Sequence, residues 1–274
     1  MKLDKEVHNL DSTIVLQPVG IIHTGIEHPK DMPLGGDLAQ IEIFPEYEPA
    51  LTRIEENSHI WVLMWFHLAD RNILTTRPVK VNPDLPEFGV FALRAFSRPN
   101  PIAITMVRLE KREENRLWVS GLDAVNGTPV LDIKPYYEAD RVFSPRTSYI
   151  RPRQRQMRMD QFYRHALNHH QETCADLYLA VRMAVIADEV LGQLTQDDVV
   201  VNVQGSRCLA DAVQGITNAR LANPARLHFT ENNTDRPVVR WSKGEQILTL
   251  TGIRPLNQQD FWNLDDQEII EVRR

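Results

Sequence analysis

The sequence predicts a mainly β N-terminal half, built as a small sandwich or barrel, followed by an α+β C-terminal half. Three observations carry this expectation. The first 140 residues hold many short runs rich in Val, Ile, Phe and Trp, punctuated by Pro, Gly, Asn and Asp. Apolar residues between Asp160 and Leu191 recur at helical spacing. A block of arginines separates the two patterns.

In chain order, the expected strands are Ile14–Thr24, Gln40–Phe44, His59–His67, Gly89–Phe91, Pro101–Glu110, Leu117–Leu122 and Val130–Lys134. Pro101–Glu110 alternates Ile102, Ile104 and Met106 against Ala103, Thr105 and Val107, so both faces are largely apolar, as in a strand buried between layers or closing a barrel. Asn126-Gly127 reads as a hairpin turn between Leu122 and Val130. Ala50–Asn57 suggests a short helix. In the second half, Leu177, Val181, Ala184, Asp188 and Leu191 follow one helical face up to Gly192. Val199–Val203 is a short strand, and Ser206 reads as the N-cap of a helix carrying Cys208, Ala212 and Val213. Val238–Trp241 and Gln246–Leu250 form an expected hairpin. The domain boundaries follow: 1–140, a basic linker over 141–164, and 165–274.

Composition narrows the classes. Of 274 residues, 42% are apolar and 25% charged, which excludes a disordered chain. The net charge of −6 argues against a wholesale polyanion binder. Its distribution is uneven. Residues 1–140 carry 14 basic and 21 acidic groups, a net of −7, whereas 141–164 carry seven arginines against Asp160 alone, a net of +6. The linker arginines either pack on acidic neighbours or form a strip facing phosphates. The start, MKLDKEVHNLD, is polar, and no stretch approaches 18 apolar residues, so neither a signal peptide nor a membrane span is expected. Two cysteines, Cys174 and Cys208, make no disulfide framework, and a cytoplasmic protein is the expectation.

No glycine-rich nucleotide loop, Gly-Lys-Ser/Thr phosphate loop or Gly-x-Ser-x-Gly elbow is present. Two other segments concentrate chemistry. Arg94-Ala95-Phe96-Ser97-Arg98-Pro99-Asn100-Pro101-Ile102 is stiffened by two prolines, and Pro101 drives Asn100 towards an extended shape. A stiff loop with fixed polar groups loses little entropy on binding; the alternative is a Pro-rich turn with solvated arginines. In Leu122–Tyr136, Asp132 lies within an apolar strand and needs a partner. Lys134 or an arginine of the first loop would serve.

With Pro18-Val19-Gly20-Ile21-Ile22, Glu56-Asn57-Ser58-His59-Ile60-Trp61 and Gly89-Val90-Phe91-Ala92, these segments resemble the TsaA-like family across residues 14–140. That family includes the S-adenosylmethionine-dependent enzyme that N6-methylates threonylcarbamoyl-adenosine at position 37 of tRNA. The resemblance implies a small β-barrel, a homodimer with the cofactor near the boundary between protomers, and a cofactor site of Arg94, Phe96, Arg98, Asn100, Pro101, Asp132 and Tyr136. Arg98 and Asp132 are its candidate catalytic groups, Asp132 either setting an electronegative field for the cationic cofactor or orienting an arginine.

In the second half, His170 and Cys174 are four apart and would share a face if that segment is helical, with Cys208 on the next helix. One imidazole and two thiolates suit zinc and leave a position open; the alternative is two small core cysteines. Glu172 or Asp211 are candidate fourth ligands. Residues 160–250 also resemble the family of FmdE-like proteins, named after formylmethanofuran dehydrogenase, through His170-x-x-x-Cys174, Arg182-Met183-Ala184, Leu191-Gly192, and Cys208 followed by Asp211-Ala212-Val213-Gln214. The functional expectation is an S-adenosylmethionine-dependent methyltransferase acting on tRNA. The alternatives are a methyltransferase for a small thiol or metal-bound molecule presented by the C-terminal domain, and a non-catalytic S-adenosylmethionine and metal sensor.

Overall fold

A computed structural model describes residues 14–232 and 234–273. The chain divides into two units. One comprises the residues up to Thr76 and Phe88–Arg141, and the other Arg77–Glu87 and Val142–Arg274.

The first unit is a closed six-stranded barrel. Its strands are β1 (Gly20–His23), β2 (Asp37–Ile43), β3 (His59–Trp65), β6 (Ile102–Glu113), β7 (Arg116–Leu122) and β8 (Pro129–Pro135), in the order β1-β2-β7-β6-β3-β8, with every neighbouring pair antiparallel. A two-residue ribbon, β4 (Thr75–Thr76) with β5 (Phe88–Gly89), stands apart from the barrel. Alternation puts Ile60, Val62 and Met64 of β3 fully inside, with Ile22, Ile41 and Val130. Closing the sheet leaves no unpaired edge.

Three expectations are corrected here. Asn126-Gly127 is not a hairpin, because β7 and β8 are not neighbours: β7 lies between β2 and β6, and β8 between β1 and β3. Gly127 still requires its glycine, with φ +75°, as its amide turns back to the Ile22 carbonyl at 2.9 Å. The expected helix over Ala50–Asn57 is two 3₁₀ turns, Pro45–Leu51 and Ile54–Glu56, broken where Arg53 adopts φ +67°. Strand β6 is one of the strands that close the barrel, as expected, but it is not buried on both faces. Ile102, Ile104 and Met106 point out of the barrel, 40–44% exposed.

The second unit packs three helices, α1 (Arg155–His170), α2 (Ala175–Leu191) and α3 (Arg207–Thr217), with a five-stranded sheet. The strands β9 (Val199–Gly205), β10 (Leu227–Glu231), β11 (Val238–Lys243), β12 (Gln246–Gly252) and β13 (Ile270–Arg273) run in the order β10-β9-β11-β12-β13; the short helices α4 (Gln258–Asn263) and α5 (Asp266–Ile269) precede β13. Among the described residues only β9 and β10 pair in parallel, across the α3 crossover. Ser206 caps α3 as expected, its Oγ accepting from the Leu209 amide at 3.0 Å. Helix α2 is buried almost all round, the mark of a central helix.

The second half of the basic stretch, from Arg155, is the start of α1. Five of the seven arginines of 141–164 meet carboxylates of this unit. Arg151 and Tyr149 both donate to Asp188, which is 3% exposed, at 2.8 and 2.5 Å. Arg158 donates to Glu189 at 2.7 Å, Arg155 pairs with Glu189 and Asp266, Arg146 with Asp197, and Arg153 with Asp84. Of the two readings of the linker, packing on acidic neighbours is the one seen. Arg158, itself buried, also lies 3.5 Å from Asp188, so Asp188→Ala removes the charge facing both Arg151 and Arg158 and should cost about 3–5 kcal/mol, read as a lowered denaturation midpoint.

Candidate functional site

The 90–101 loop is held by its own arginine. Arg98 donates to three backbone carbonyls: Ala95 at 3.0 Å, Val90 at 2.7 Å and Leu93 at 2.5 Å. It therefore sets the loop's shape and makes no hydrogen bond to Asp132. Further anchors come from Arg71, which donates to the Pro99 carbonyl at 2.9 Å, and from the Asp70 amide, which donates to Ser97 Oγ at 3.2 Å. Phe96 packs on Phe66, ring centres 5.2 Å apart. Arg94 and Asn100 are exposed, and Pro101 is buried where the loop enters β6. Phe91 is 83% exposed on the same loop. The expected strand Gly89–Phe91 is corrected here: the strand is Phe88–Gly89, and Phe91 lies in a 3₁₀ turn, Val90–Ala92.

Asp132 finds the partner expected on its own strand. Lys134 Nζ lies 2.7 Å from one carboxylate oxygen, and the other accepts from the Ile133 amide at 2.9 Å. Asp132 also borders a cavity of about 300 Å³, lined by Arg53, Asn57, Ile133 and Tyr137 among others; none of residues 94–101 lines it. Tyr136 packs against Trp61 and His59.

Strand β3 measures the separation of these parts. Its Trp65 end pairs with Ile102, beside the loop, while its His59 end adjoins Tyr136. Seven residues of strand place these ends roughly 20 Å apart. Within one chain the 94–101 loop and Tyr136 are therefore at opposite ends of the barrel wall. Between them lies an open apolar face, in which Ile102, Ile104 and Met106 stand opposite Trp65, Leu63 and Trp61.

In the second unit, His170, Cys174 and Cys208 each offer one ligand atom, all within 4.8 Å of one another. The expected shared helix face is corrected. His170 is the last residue of α1; Gln171, at φ +63°, ends that helix; and Cys174 is the N-cap of α2, its Sγ accepting from the Leu177 amide at 3.4 Å. A turn, not a helical face, brings His170 Nε2 to 3.5 Å from Cys174 Sγ. Cys208 lies in the first turn of α3, and the two N-termini are linked where Ser206 Oγ donates to Asp176. Burial pushes the Cys174 thiol up from its ordinary value, while the amides of Leu177 and Asp176 pull it down.

Asp211 holds both neighbouring imidazoles, with Oδ2 2.8 Å from His170 Nδ1 and Oδ1 3.1 Å from His169 Nε2. Glu172 is exposed and lies outside the cluster. Helices α1 and α3 approach closely at Gly215, where an added Cβ would lie 2.5 Å from His169 Cβ and 3.0 Å from the His165 carbonyl.

The family model of the tRNA-methyltransferase O N-terminal domain matches residues 21–140. That described as FmdE, molybdenum formylmethanofuran dehydrogenase operon, matches residues 169–247. A probable S-adenosyl-L-methionine-binding protein of Archaeoglobus fulgidus is 34% identical over 271 residues, covering 94% of this chain and 73% of that one. Another, of Methanothermobacter thermautotrophicus, is 43% identical over 132 residues, covering 47% of this chain and 93% of that one. The tRNA (adenine(37)-N6)-methyltransferase of Rattus norvegicus is 39% identical over 113 residues, covering 39% of this chain and 26% of that one.

A closed six-stranded barrel with this stapled loop and these relatives places the chain in the class of β-barrel, S-adenosylmethionine-dependent methyltransferases. The chain belongs to the tRNA-methyltransferase O family, with an FmdE-type domain joined to its barrel.

Gly215→Ala tests how the helices set the cluster. Overpacking at this crossing should cost about 1–3 kcal/mol, read as a lower melting temperature.

Proposed function

We propose that the barrel binds S-adenosylmethionine and transfers its methyl group to N6 of adenine 37 in tRNA. The match of residues 21–140 to the tRNA-methyltransferase O N-terminal domain is the observation that carries this reading. The side chains suit the cofactor: Arg94 offers an exposed guanidinium to its carboxylate, and Phe91 an exposed face to its adenine. Bound there, the cofactor supplies an electrophilic methyl carbon on a sulfonium.

The work of the chain is then placement. Arg98 fixes the loop carbonyls before the ligand arrives, so little ordering is lost on binding. Phe96 and Pro101 hold the loop against the barrel, and Asn100 presents its amide from a bend whose carbonyl accepts from the Ile102 amide at 2.8 Å. Asp132 contributes a fixed carboxylate, its charge shared with Lys134. Holding nucleophile, methyl carbon and sulfur in line is the main source of rate in such a transfer.

The site is completed by a second copy of the chain. Tyr136 and the 94–101 loop stand at opposite ends of β3, and the face between them is apolar and open. Two such faces meeting about a two-fold axis bring the Tyr136 end of one barrel to the loop of the other. This arrangement explains why residues of one site are separated in a single chain.

The second unit holds one zinc ion on His170, Cys174 and Cys208. The spacing fits: zinc–sulfur and zinc–nitrogen bonds meeting at a tetrahedral angle put sulfur and nitrogen roughly 3.6 Å apart, and His170 Nε2 lies 3.5 Å from Cys174 Sγ. Both cysteines sit at helix N-termini, Cys174 as the N-cap of α2 and Cys208 in the first turn of α3.

A second reading of the acceptor, a small thiol held by this metal, is favoured by that cluster and by the engagement of the 141–164 arginines with carboxylates of their own unit.

Three experiments on the full chain test these readings. Labelled S-adenosylmethionine is supplied with bulk tRNA or with small thiols; label recovered as N6-methylated adenine supports the first reading, and label in the thiol alone replaces it. In calorimetry, Asn100→Ala should weaken S-adenosylmethionine binding about tenfold, the value of one good hydrogen bond, while Arg116→Ala leaves it unchanged. Metal analysis of untagged protein should find about one zinc per chain, most of it lost in Cys174→Ser.

A further inference from the structure

We propose that Asp211 positions the zinc site without ligating the metal, so that the fourth coordination position is left for a ligand from outside the chain. The inference rests on the zinc reading above. It starts from the two imidazoles on one carboxylate. Asp211 Oδ2 lies 2.8 Å from His170 Nδ1, and Oδ1 3.1 Å from His169 Nε2. An Nδ1 facing a carboxylate carries the proton, so the His170 lone pair is on Nε2. Nε2 is the atom that faces Cys174 Sγ at 3.5 Å. The carboxylate thus selects the tautomer in which His170 can bind metal and holds the ring in that orientation.

The same contacts remove Asp211 from the ligand set. Each oxygen is engaged by a different histidine, and turning either towards the thiols breaks one of the two bonds. Accordingly, the converging ligand atoms are those of His170, Cys174 and Cys208, without Asp211. His169 is the outer anchor, fixing the carboxylate through its second oxygen.

Helix α3 carries the device in one stripe. Cys208, Asp211 and Gly215 are spaced i, i+3 and i+7 and share a face. Cys208 supplies a thiolate, Asp211 orients the imidazole from α1, and Gly215 admits α1 close enough for both histidines to reach the carboxylate. Three protein ligands and a vacant tetrahedral position define a site that takes up a ligand, as opposed to a closed structural site. With two thiolates already present, a further soft donor such as a thiolate is the class of ligand it would accept.

The test uses the full-length chain loaded with zinc or cobalt(II), with chelator competition and absorption as readouts. Asp211→Asn keeps the side-chain size but can accept from only one histidine. It should bind zinc 10–100-fold more weakly than wild type, the usual effect of removing such a support. Asp211→Glu, which restores a carboxylate, should recover most of that affinity. Both variants should keep the wild-type melting temperature of the metal-free protein to within a few degrees, which separates positioning from folding. Adding 2-mercaptoethanol to the cobalt form should raise the thiolate-to-metal absorption by about half, as two thiolates become three. Zinc affinity of Asp211→Asn within twofold of wild type, or a cobalt spectrum indifferent to the thiol, overturns the proposal while leaving a zinc site in place. Wild-type protein that takes up neither zinc nor cobalt removes the zinc reading, and the role of Asp211 with it.

Discussion

Irregular backbone in this chain is held by guanidinium groups donating to carbonyls. A loop or helix end leaves acceptors without partners, and burying them unsatisfied costs roughly 1–3 kcal/mol each. An arginine offers five donors in a rigid fork, enough to serve several carbonyls at once. Arg98 gathers the carbonyls of Val90, Leu93 and Ala95 in the barrel loop. Arg182, 2% exposed on α2, binds the carbonyls of Phe261 and Leu264 together with Asp266, and so seats the α4–α5 segment. Arg226 collects the carbonyls of Gln196, Val199 and Asn218. Arg158 takes those of Pro152 and Arg153 at the entry to α1. The regular elements carry their own hydrogen bonds; these four side chains hold several of the connections between them.

This use of arginine explains what the sequence did and did not disclose. Alternation and turn residues marked the barrel strands, because a wall with one face inside leaves a period of two in the chain. Ser206 was legible as a cap because its interaction is local. Strand order was not, since it depends on which strands meet after closure; Asn126-Gly127 therefore looked like a hairpin although its flanking strands pair elsewhere. Strand β10, α4, α5 and β13 were missed as well, being short segments defined by their neighbours. The arginine cluster at 141–164 announced charge, but whether it faced solvent or Asp188 and Glu189 is a tertiary fact.

The candidate sites divide in the same way. His170, Cys174 and Cys208 were found from residue type, and the structure brings them together, although by a turn and not by the assumed helical face. Asp211 was visible as a nearby acid. Its grip on two imidazoles was not, because His169 and His170 lie about forty residues earlier on another helix. In the barrel, Asp132 and Lys134 formed the pair expected from their shared strand face. The separation of Tyr136 from the 94–101 loop was hidden in sequence, since it needs the length and direction of β3.

The short excursion between β4 and β5 bears on how two such modules can be joined or parted. Arg77–Glu87 leaves the barrel strands yet belongs with the C-terminal unit, where Asn82 donates to the Arg151 carbonyl and the Arg153 amide donates to that of Val81. The polypeptide therefore passes between the units three times, not once. A cut after residue 141 would not yield two self-sufficient pieces: the barrel would keep eleven residues stripped of their partners, and the remainder would lack part of its own packing.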